Sequence, residues 1–208
     1  MNQLIAALVL SGAVTTLGAT SYTVDASKST LGFTANQSGG DFDGGFEKFT
    51  ARIVFADADL AGSRFDVQVD TGSVNTLDDD RDTALRGEDL FYVSKFPNAR
   101  FVTTGFTRKA PGAYEALGKL TIRDVTHDIR LPFTFTTTQE NGHTVAWLKG
   151  GVTLNRFDYG IGQGDWKDTT WVANEVKVKF SLRLIPAATV AAPTEQPAKP
   201  RPVKQQQP

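Results

Sequence analysis

Apolar and polar residues alternate in short segments through most of the chain, between residues 21 and 186. In residues 176–184 every second residue is Val, Phe or Leu, and the residues between them are Lys, Ser or Arg. A period of two places successive side chains on opposite faces of a β-strand. About eight such segments, separated by turn-forming residues, predict an all-β fold that is either an antiparallel barrel or a two-sheet sandwich.

We favour a single extended eight-stranded antiparallel barrel over the sandwich. All fourteen phenylalanines lie between Phe33 and Phe180 without a polar gap long enough to be a linker, so residues 21–186 are expected to form one domain. The interior of an eight-stranded barrel is either filled by side chains or holds one small ligand. The glycine-rich residues 38–45 and 159–164 would allow open turns at its mouth.

Residues 77–106 are the one stretch without a strand-like pattern. Three aspartates at positions 78–80 offer acceptors and negative charge to the unpaired N–H groups of a helix start. Asp82 and Arg86 are four residues apart in the order that stabilises a helix, and Pro97 ends any helix before the next strand. These features predict a short broken helix that closes one end of the barrel.

The two ends of the chain differ from its middle. Residues 1–20 carry no charged side chain and include an apolar run of small residues that is too short to span a bilayer. We interpret them as a signal peptide cleaved near Thr20 or Ser21, with an N-terminal strand or buried helix as the alternative. Residues 187–208 are rich in Pro and Gln and are expected to be disordered, with a basic envelope anchor as the alternative.

Composition and spacing exclude several kinds of site. The net charge of −1 gives no reason to expect nucleic acid, and the absence of cysteine excludes a thiolate nucleophile. Four aspartates at 78, 80, 82 and 89 match ligand positions of a calcium loop, but Thr83 stands where such a loop requires glycine. We therefore expect a helix cap and no metal. No Gly-x-Ser-x-Gly segment is present, and we expect no enzymatic activity.

Several short motifs occur in a fixed order along the chain: YTVD at 22–25, SxLxF at 29–33, RDxxL at 81–85, DLF at 89–91, FP at 96–97, LTIRDVT at 120–126 and NRxDxG at 155–160. In this order and spacing they resemble the YceI-like family over residues 21–185. The resemblance implies a lipocalin-like barrel, exported to the periplasm, that holds a long isoprenoid chain such as a polyprenyl quinone or polyprenyl phosphate. No other cofactor is implied.

Three positions depart from the family pattern. Lys28 stands where the family often has His before Ser29, Gln37 lies near a second common His, and Ala84 replaces the His that follows the Arg-Asp pair. The resemblance implies that these histidines contact a ligand head group. The sequence therefore leaves the head group open, as it does the chain length and the oligomeric state, including a homodimer.

An isoprenoid chain has no polar group along its length, so its site requires a dry apolar slot with polar groups only at the mouth. The alternative is that the same side chains only fill a solid core. The candidates on inward positions and on the helical stretch are Phe33, Phe55, Val67, Val69, Leu85, Phe91, Phe101, Leu120, Ile122, Phe133, Phe135, Trp147, Leu154 and Phe180.

Two groups of polar residues accompany the apolar candidates: Arg81, Asp82 and Arg86 in the helical stretch, and Asn155, Arg156 and Asp158 in the later motif. Arginine suits a phosphate head group through its planar fork, but neighbouring charged residues also pin loops. We favour a structural network here. The sequence thus predicts a non-enzymatic binder or carrier of a long-chain isoprenoid lipid. A fatty acid or fatty amide binder and an envelope interaction module with a solid core are the alternatives.

Overall fold

A computed structural model describes residues 19–187. Its one α-helix within that range is α1 (Asp79–Arg86). The strands are β1 (Thr20–Val24), β2 (Thr30–Gln37), β3 (Gly40–Phe46), β4 (Phe49–Phe55), β5 (Arg64–Asp70), β6 (Val74–Asn75), β7 (Asn98–Ala110), β8 (Ala113–Ile122), β9 (Val125–Glu140), β10 (His143–Asn155) and β11 (Glu175–Pro186). The predicted signal peptide, apart from its last two residues, and the predicted tail, apart from Ala187, lie outside the described residues.

Eight strands form a closed antiparallel barrel in the order β1-β4-β5-β7-β8-β9-β10-β11, with β11 pairing back onto β1. Tyr22 marks the seam, because it is paired with Ile53 of β4 on one side and with Pro186 of β11 on the other. Closure removes the unpaired edges that an open sheet would leave. The expected barrel is therefore confirmed over the sandwich.

One part of the wall is built differently, because β11 has two successive partners along its length. Its C-terminal part pairs with β1, and its residues 177–181 pair with β2. Strand β3 follows β2, and β6 follows β3. Residues 40–45, expected as an open turn, thus belong to β3. Within residues 19–187, β3 and β4 share no backbone pairing although they are consecutive in sequence.

The barrel end that holds the β4–β5 and β7–β8 connections is filled by aromatic side chains. The ring of Phe55 lies at its centre and is 1% exposed. Its centroid is 4.6 Å from that of Phe135, 5.0 Å from that of Tyr114 and 5.7 Å from that of Phe133. Edge-to-face and tilted rings at these distances are the packing that aromatic side chains prefer. This end of the interior is solid.

Helix α1 lies at the opposite end, as predicted. Asp78 is its N-cap, and a side-chain oxygen of Asp78 accepts a hydrogen bond from the Arg81 backbone N–H at 2.9 Å. The helix ends at Gly87, whose N–H bonds to the Ala84 carbonyl at 3.0 Å. Its start therefore follows the capping pattern visible in the sequence. The exposed Leu77 before it has φ of 59°, a backbone conformation that leucine rarely adopts.

The seam of the barrel carries a cluster of charged side chains. Arg183 on β11 is 9% exposed and donates to a carboxylate oxygen of Asp25 at 2.7 Å and to one of Glu140 at 2.6 Å. Its backbone N–H donates to the hydroxyl of Ser29 at 3.0 Å. These bonds link the β1–β2 connection, the end of β9 and the last strand. Arg183 therefore fastens the point where the two ends of the barrel domain meet.

Candidate functional site

A cavity of about 250 Å³ occupies the α1 end of the barrel interior. Most of the predicted lining residues border it: Phe33, Val67, Val69, Leu85, Phe91, Phe101, Leu120, Ile122, Leu154 and Phe180. They come from strands on all sides of the barrel and from the segment that contains α1. The cavity is therefore a product of barrel closure, and its wall is almost entirely apolar.

Three predicted lining residues point inward but do not border the cavity. Phe55, Phe133 and Phe135 belong to the aromatic cluster at the far end, where Phe55 contacts the other two rings. The prediction that these three residues line the slot is wrong, because they lie at a different height along the barrel axis from the cavity. At that height the rings meet one another and leave no space between them.

Trp147 is corrected for a different reason, because it lies on the outer face of β10. Its neighbours Ala146 and Leu148 are 0% and 2% exposed and face the core, so Trp147 points the other way. The amine of Lys149 lies 4.9 Å from the centroid of the Trp147 ring on that outer face. Trp147 was predicted to lie on the inward face of the alternation, but Ala146 and Leu148 occupy that face.

Several residues that border the cavity were not predicted. They include Phe42 and Phe46 on β3, together with Tyr159, Ile161 and Trp166 in the connection between β10 and β11. The alternation of Phe42 and Phe46 about Gly44 was a usable strand signal. The glycines around it suggested a turn instead. The connection residues carry no periodicity, and only the tertiary structure places them at the cavity.

Connections between strands close the cavity at the α1 end. The guanidinium of Arg123 donates to the carbonyls of Leu90 at 3.0 Å and Gly160 at 2.7 Å. The N–H groups of Gly162 and Gln163 both donate to the carbonyl of Asp89, at 2.8 and 2.9 Å. The segment after α1 is thus bonded to the β8–β9 turn and to the β10–β11 connection. Together they cover the apolar interior.

Of the predicted polar residues on α1, Asp82 and Arg86 are engaged in structural bonds. Asp82 is buried and accepts from the backbone N–H and the hydroxyl of Thr76 at 2.8 and 2.7 Å. Arg86 donates to the carbonyls of Gly72 at 2.9 Å and Val74 at 2.6 Å, and its Nη2 lies 3.8 Å from Asp82 Oδ2. These bonds fix α1 to the segment that precedes it.

Arg81 differs from them because its side chain borders the cavity. Its guanidinium carbon is 4.3 Å from the centroid of the Phe42 ring. Its Nη2 lies 3.3 Å from Asp78 Oδ2, and its Nε donates to the amide oxygen of Gln37 at 3.5 Å. Arg81 therefore places a partly exposed cation at the edge of an apolar space.

Arg156 also borders the cavity, and it is 5% exposed. Its guanidinium donates to four carbonyls, those of Ala173, Ile161, Trp166 and Val172, at 2.6 to 3.1 Å. Burial lowers the pKa of this guanidinium. Arg156 thus holds the β10–β11 connection together as part of a structural network. No carboxylate within residues 19–187 forms a salt bridge with it, and its charge faces these carbonyl dipoles and the Phe157 ring, whose centroid is 4.1 Å from the guanidinium carbon.

Asn155 and Asp158 flank Arg156 but do not join it at the cavity wall. Asn155 pairs with Glu175 in the ladder between β10 and β11. The backbone carbonyl of Asp158 accepts a hydrogen bond from His127 Nε2 at 2.9 Å. Burial and the neighbouring Asp158 carboxylate raise the pKa of the Tyr159 hydroxyl to about 12. This segment is therefore a well-bonded connection in which Tyr159 stays protonated.

The described part of the chain has neither a metal-binding cluster nor a membrane-spanning helix. In residues 19–187 no three or more His, Cys, Asp or Glu side chains are placed to hold a metal ion together. Of the aspartates with calcium-loop spacing, Asp78 caps α1 and Asp82 bonds to Thr76, so these two carboxylates serve local structure. No helix in this range is long and apolar enough to cross a membrane.

Solved structures of known proteins share this fold. BcnA of Burkholderia cenocepacia matches with a TM-score of 0.72 and 29% identity, over 77% of this chain and 98% of that one. A polyisoprenoid-binding domain from Saccharophagus degradans, implicated in plant cell wall breakdown, matches with a TM-score of 0.60 and 16% identity, over 80% of this chain and 98% of that one. At that identity the second likeness concerns the fold alone.

Sequence comparison gives a partial match to curated proteins and a nearly complete match to a domain family. A UPF0312 protein of Yersinia pestis (strain Pestoides F) is 35% identical over 88 residues. That alignment covers 42% of this chain and 45% of the relative, so the match spans about half the length of the curated protein. The YceI-like domain matches residues 22–184, which is nearly all of the barrel. The chain belongs to the YceI-like family.

Proposed function

We propose that this protein binds or carries a long-chain isoprenoid lipid, such as a polyprenyl quinone or polyprenyl phosphate, without catalysing a reaction. The observation that carries the proposal is the apolar cavity at one end of a barrel whose other end is solidly packed. A chain of isoprene units gains free energy by leaving water for such a space, by about 0.8 kcal/mol per buried methylene. No polar partner is needed along the chain.

The cavity also offers a place for the polar end of such a ligand. Arg81 and Arg156 border it at the α1 end, and the phenylalanine-rich wall continues away from them. An amphiphile would place its head group near Arg81 and its chain among the apolar residues. The description of the Saccharophagus degradans domain as polyisoprenoid-binding supports the same ligand class. With the predicted signal peptide, we place this activity in the periplasm.

The decisive experiment is to identify what the purified protein contains and what stabilises it. An organic extract should contain a lipid in stoichiometric amount. For delipidated protein, a polyprenyl compound at about 100 times its dissociation constant should stabilise the fold by roughly 2.7 kcal/mol. Calcium should have no such effect, because Asp78 and Asp82 already bond within the chain. An extract without lipid, together with no stabilisation by any polyprenyl compound, would refute the proposal.

Two variants on the same strand test whether the ligand occupies the cavity. Leu154 borders the cavity, whereas its neighbour Thr153 is exposed on the outer face of β10. Leu154→Trp should fill the cavity and abolish the thermal stabilisation by a polyprenyl compound. Thr153→Trp adds the same side chain outside and should retain it. Equal stabilisation of both variants would show that the ligand binds elsewhere. A fatty acid in the extract would instead identify the alternative ligand class.

A further inference from the structure

The size of the cavity sets a limit on what it can hold. Pockets for drug-sized ligands typically measure about 300 to 1,000 Å³. The interior cavity of about 250 Å³ falls below that range. A short isoprenoid would fill it, so a long chain requires additional space that is continuous with it. The aromatic cluster around Phe55 does not provide that space, because its rings are in contact.

An open groove of about 1060 Å³ lies in the barrel wall beside the cavity. It runs beneath the turn Ala26–Lys28, between β2 and β3 on one side and the starts of β4 and β7 on the other. Its outer rim is polar and includes Gln68, Asn98 and Lys179. Its floor is apolar. The groove and the cavity share five side chains, which are Leu31, Phe33, Phe46, Phe49 and Phe180.

The wall between the two spaces is made of side chains at this place. Strands β3 and β4 are joined through Glu47 and Lys48 but form no backbone ladder within the described part of the chain. Phe46 at the end of β3 and Phe49 at the start of β4 flank this gap and border both spaces, and the ring centroid of Phe46 lies 5.8 Å from that of Phe33 on β2. Elsewhere hydrogen-bonded backbone closes the barrel and cannot part without breaking the ladder. Phenylalanine side chains, in contrast, can change rotamer without loss of a hydrogen bond.

We propose that the groove is the second compartment of the ligand site, and that it holds the part of an isoprenoid chain that the cavity cannot. The chain passes between the side chains of Phe33, Phe46 and Phe49, with its head-group end in the cavity near Arg81. This inference rests on the proposed function. The groove then discriminates ligands by chain length, because a short chain ends inside the barrel and a long one continues into the groove in the wall.

Gly45 allows the groove to be filled without touching the cavity. It borders the groove alone, and a Cβ atom there would meet only the Leu31 carbonyl oxygen, at 3.4 Å. Its neighbour Gly44 faces the opposite way, towards the Phe33 ring. Gly45→Trp therefore projects an indole into the groove. Gly105 on β7 borders neither space and has no atom within 4 Å of an added Cβ, so Gly105→Trp is the matched control.

Binding is measured with farnesol, which has three isoprene units, and solanesol, which has nine. We expect Gly45→Trp to weaken solanesol binding by about tenfold or more, which corresponds to about 1.4 kcal/mol, and to leave farnesol binding within about twofold of wild type. Gly105→Trp should change neither. Unchanged solanesol binding, or an equal loss for both alcohols, overturns the inference while the proposed function stands. If wild type binds neither alcohol, it is the proposed function that fails.

A thiol probe gives a second measurement that does not depend on a bulky substitution. The chain has no cysteine, so a single introduced thiol is labelled without background. Thr50 is exposed and borders the groove, and Thr134 is exposed on the outer face of β9 away from it. Solanesol should slow labelling of Thr50→Cys several-fold, and farnesol should not. Labelling of Thr134→Cys should respond to neither. Equal labelling of Thr50→Cys with and without bound solanesol would contradict the inference.

Discussion

Phe55→Ala tests whether the two ends of the barrel interior have separate roles. Phe55 is 1% exposed and packs against the rings of Phe65, Phe106, Tyr114, Phe133 and Phe135. Replacing a buried phenylalanine with alanine costs about 3 to 5 kcal/mol, depending on how far the surroundings relax. Since rigid rings surround this side chain on all sides, relaxation is limited. We expect a loss of about 4 kcal/mol.

Thermal and urea unfolding of the barrel domain measure this loss directly. For a domain of this size, a loss of about 4 kcal/mol lowers the melting temperature by roughly 8 to 16 °C. Phe180→Ala is the comparison, because Phe180 is partly exposed and already borders empty space at the cavity and the groove. The loss of stability in Phe180→Ala should be clearly smaller than in Phe55→Ala. Farnesol affinity should be unchanged in Phe55→Ala, since that side chain does not border the cavity.

Either of two results would refute the reasoning. A loss below about 1 kcal/mol in Phe55→Ala would mean that the aromatic cluster is loosely packed and that the interior is open along its whole length. A large loss of farnesol affinity in the folded variant would mean that the ligand reaches the cluster. In both cases the division into a solid end and a binding end would be wrong.

Three further predictions concern the seam, the start of α1 and the tail. Hydrogen bonds from Arg183 hold the pKa of the Glu140 carboxyl below its usual range. The contribution of this carboxylate to stability is therefore complete above about pH 5 and is lost as the pH falls through the lowered pKa. The melting temperature of Glu140→Gln should fall less than that of wild type between pH 6 and pH 3, and parallel curves would contradict this. Leu77 is 94% exposed and has φ of 59°, a left-handed conformation that asparagine tolerates and a β-branched residue does not. In urea unfolding, Leu77→Asn should therefore stabilise the protein by about 0.5 kcal/mol, and Leu77→Val should destabilise it. Deletion of residues 188–208 should leave the melting temperature nearly unchanged. The deletion retains Ala187, whose N–H donates to the Ser21 carbonyl at 2.8 Å. A drop of many degrees would show that the tail packs on the barrel.

The sequence predicted the barrel and α1 because both depend on local patterns. The alternation in residues 176–184 required a strand with one buried face, and that strand is part of β11. The aspartates before Arg81 offered caps, and Asp78 is the N-cap of α1. In contrast, the glycine-rich segment that forms β3 was interpreted as a turn. Glycine is needed there for close approach, since a Cβ at Gly44 would lie 2.8 Å from a carbon of the Phe33 ring.

The binding site was only partly predictable because it depends on height along the barrel axis. Alternation shows that Phe133 and Phe101 both point inward, but it does not show which of them meets other rings. Phe133 lies opposite Tyr114 in the ladder and stacks on it, with ring centroids 5.3 Å apart. Phe101 lies opposite Leu120 and borders the cavity. This distinction comes from strand register and barrel closure, which a single sequence does not encode locally.

The pairing of the last strand has a consequence for how the chain acquires its structure. Strand β11 forms ladders with β1, β2 and β10, and Arg183 bonds to Asp25 across 158 positions of sequence. Contacts between such distant residues are slow to form, because the chain entropy of a large loop is lost before any pairing compensates for it. Because β11 is synthesised after the other strands of the barrel, β1 and β2 each lack one neighbouring strand until β11 is available. The barrel therefore cannot close before β11 is available to pair with β1.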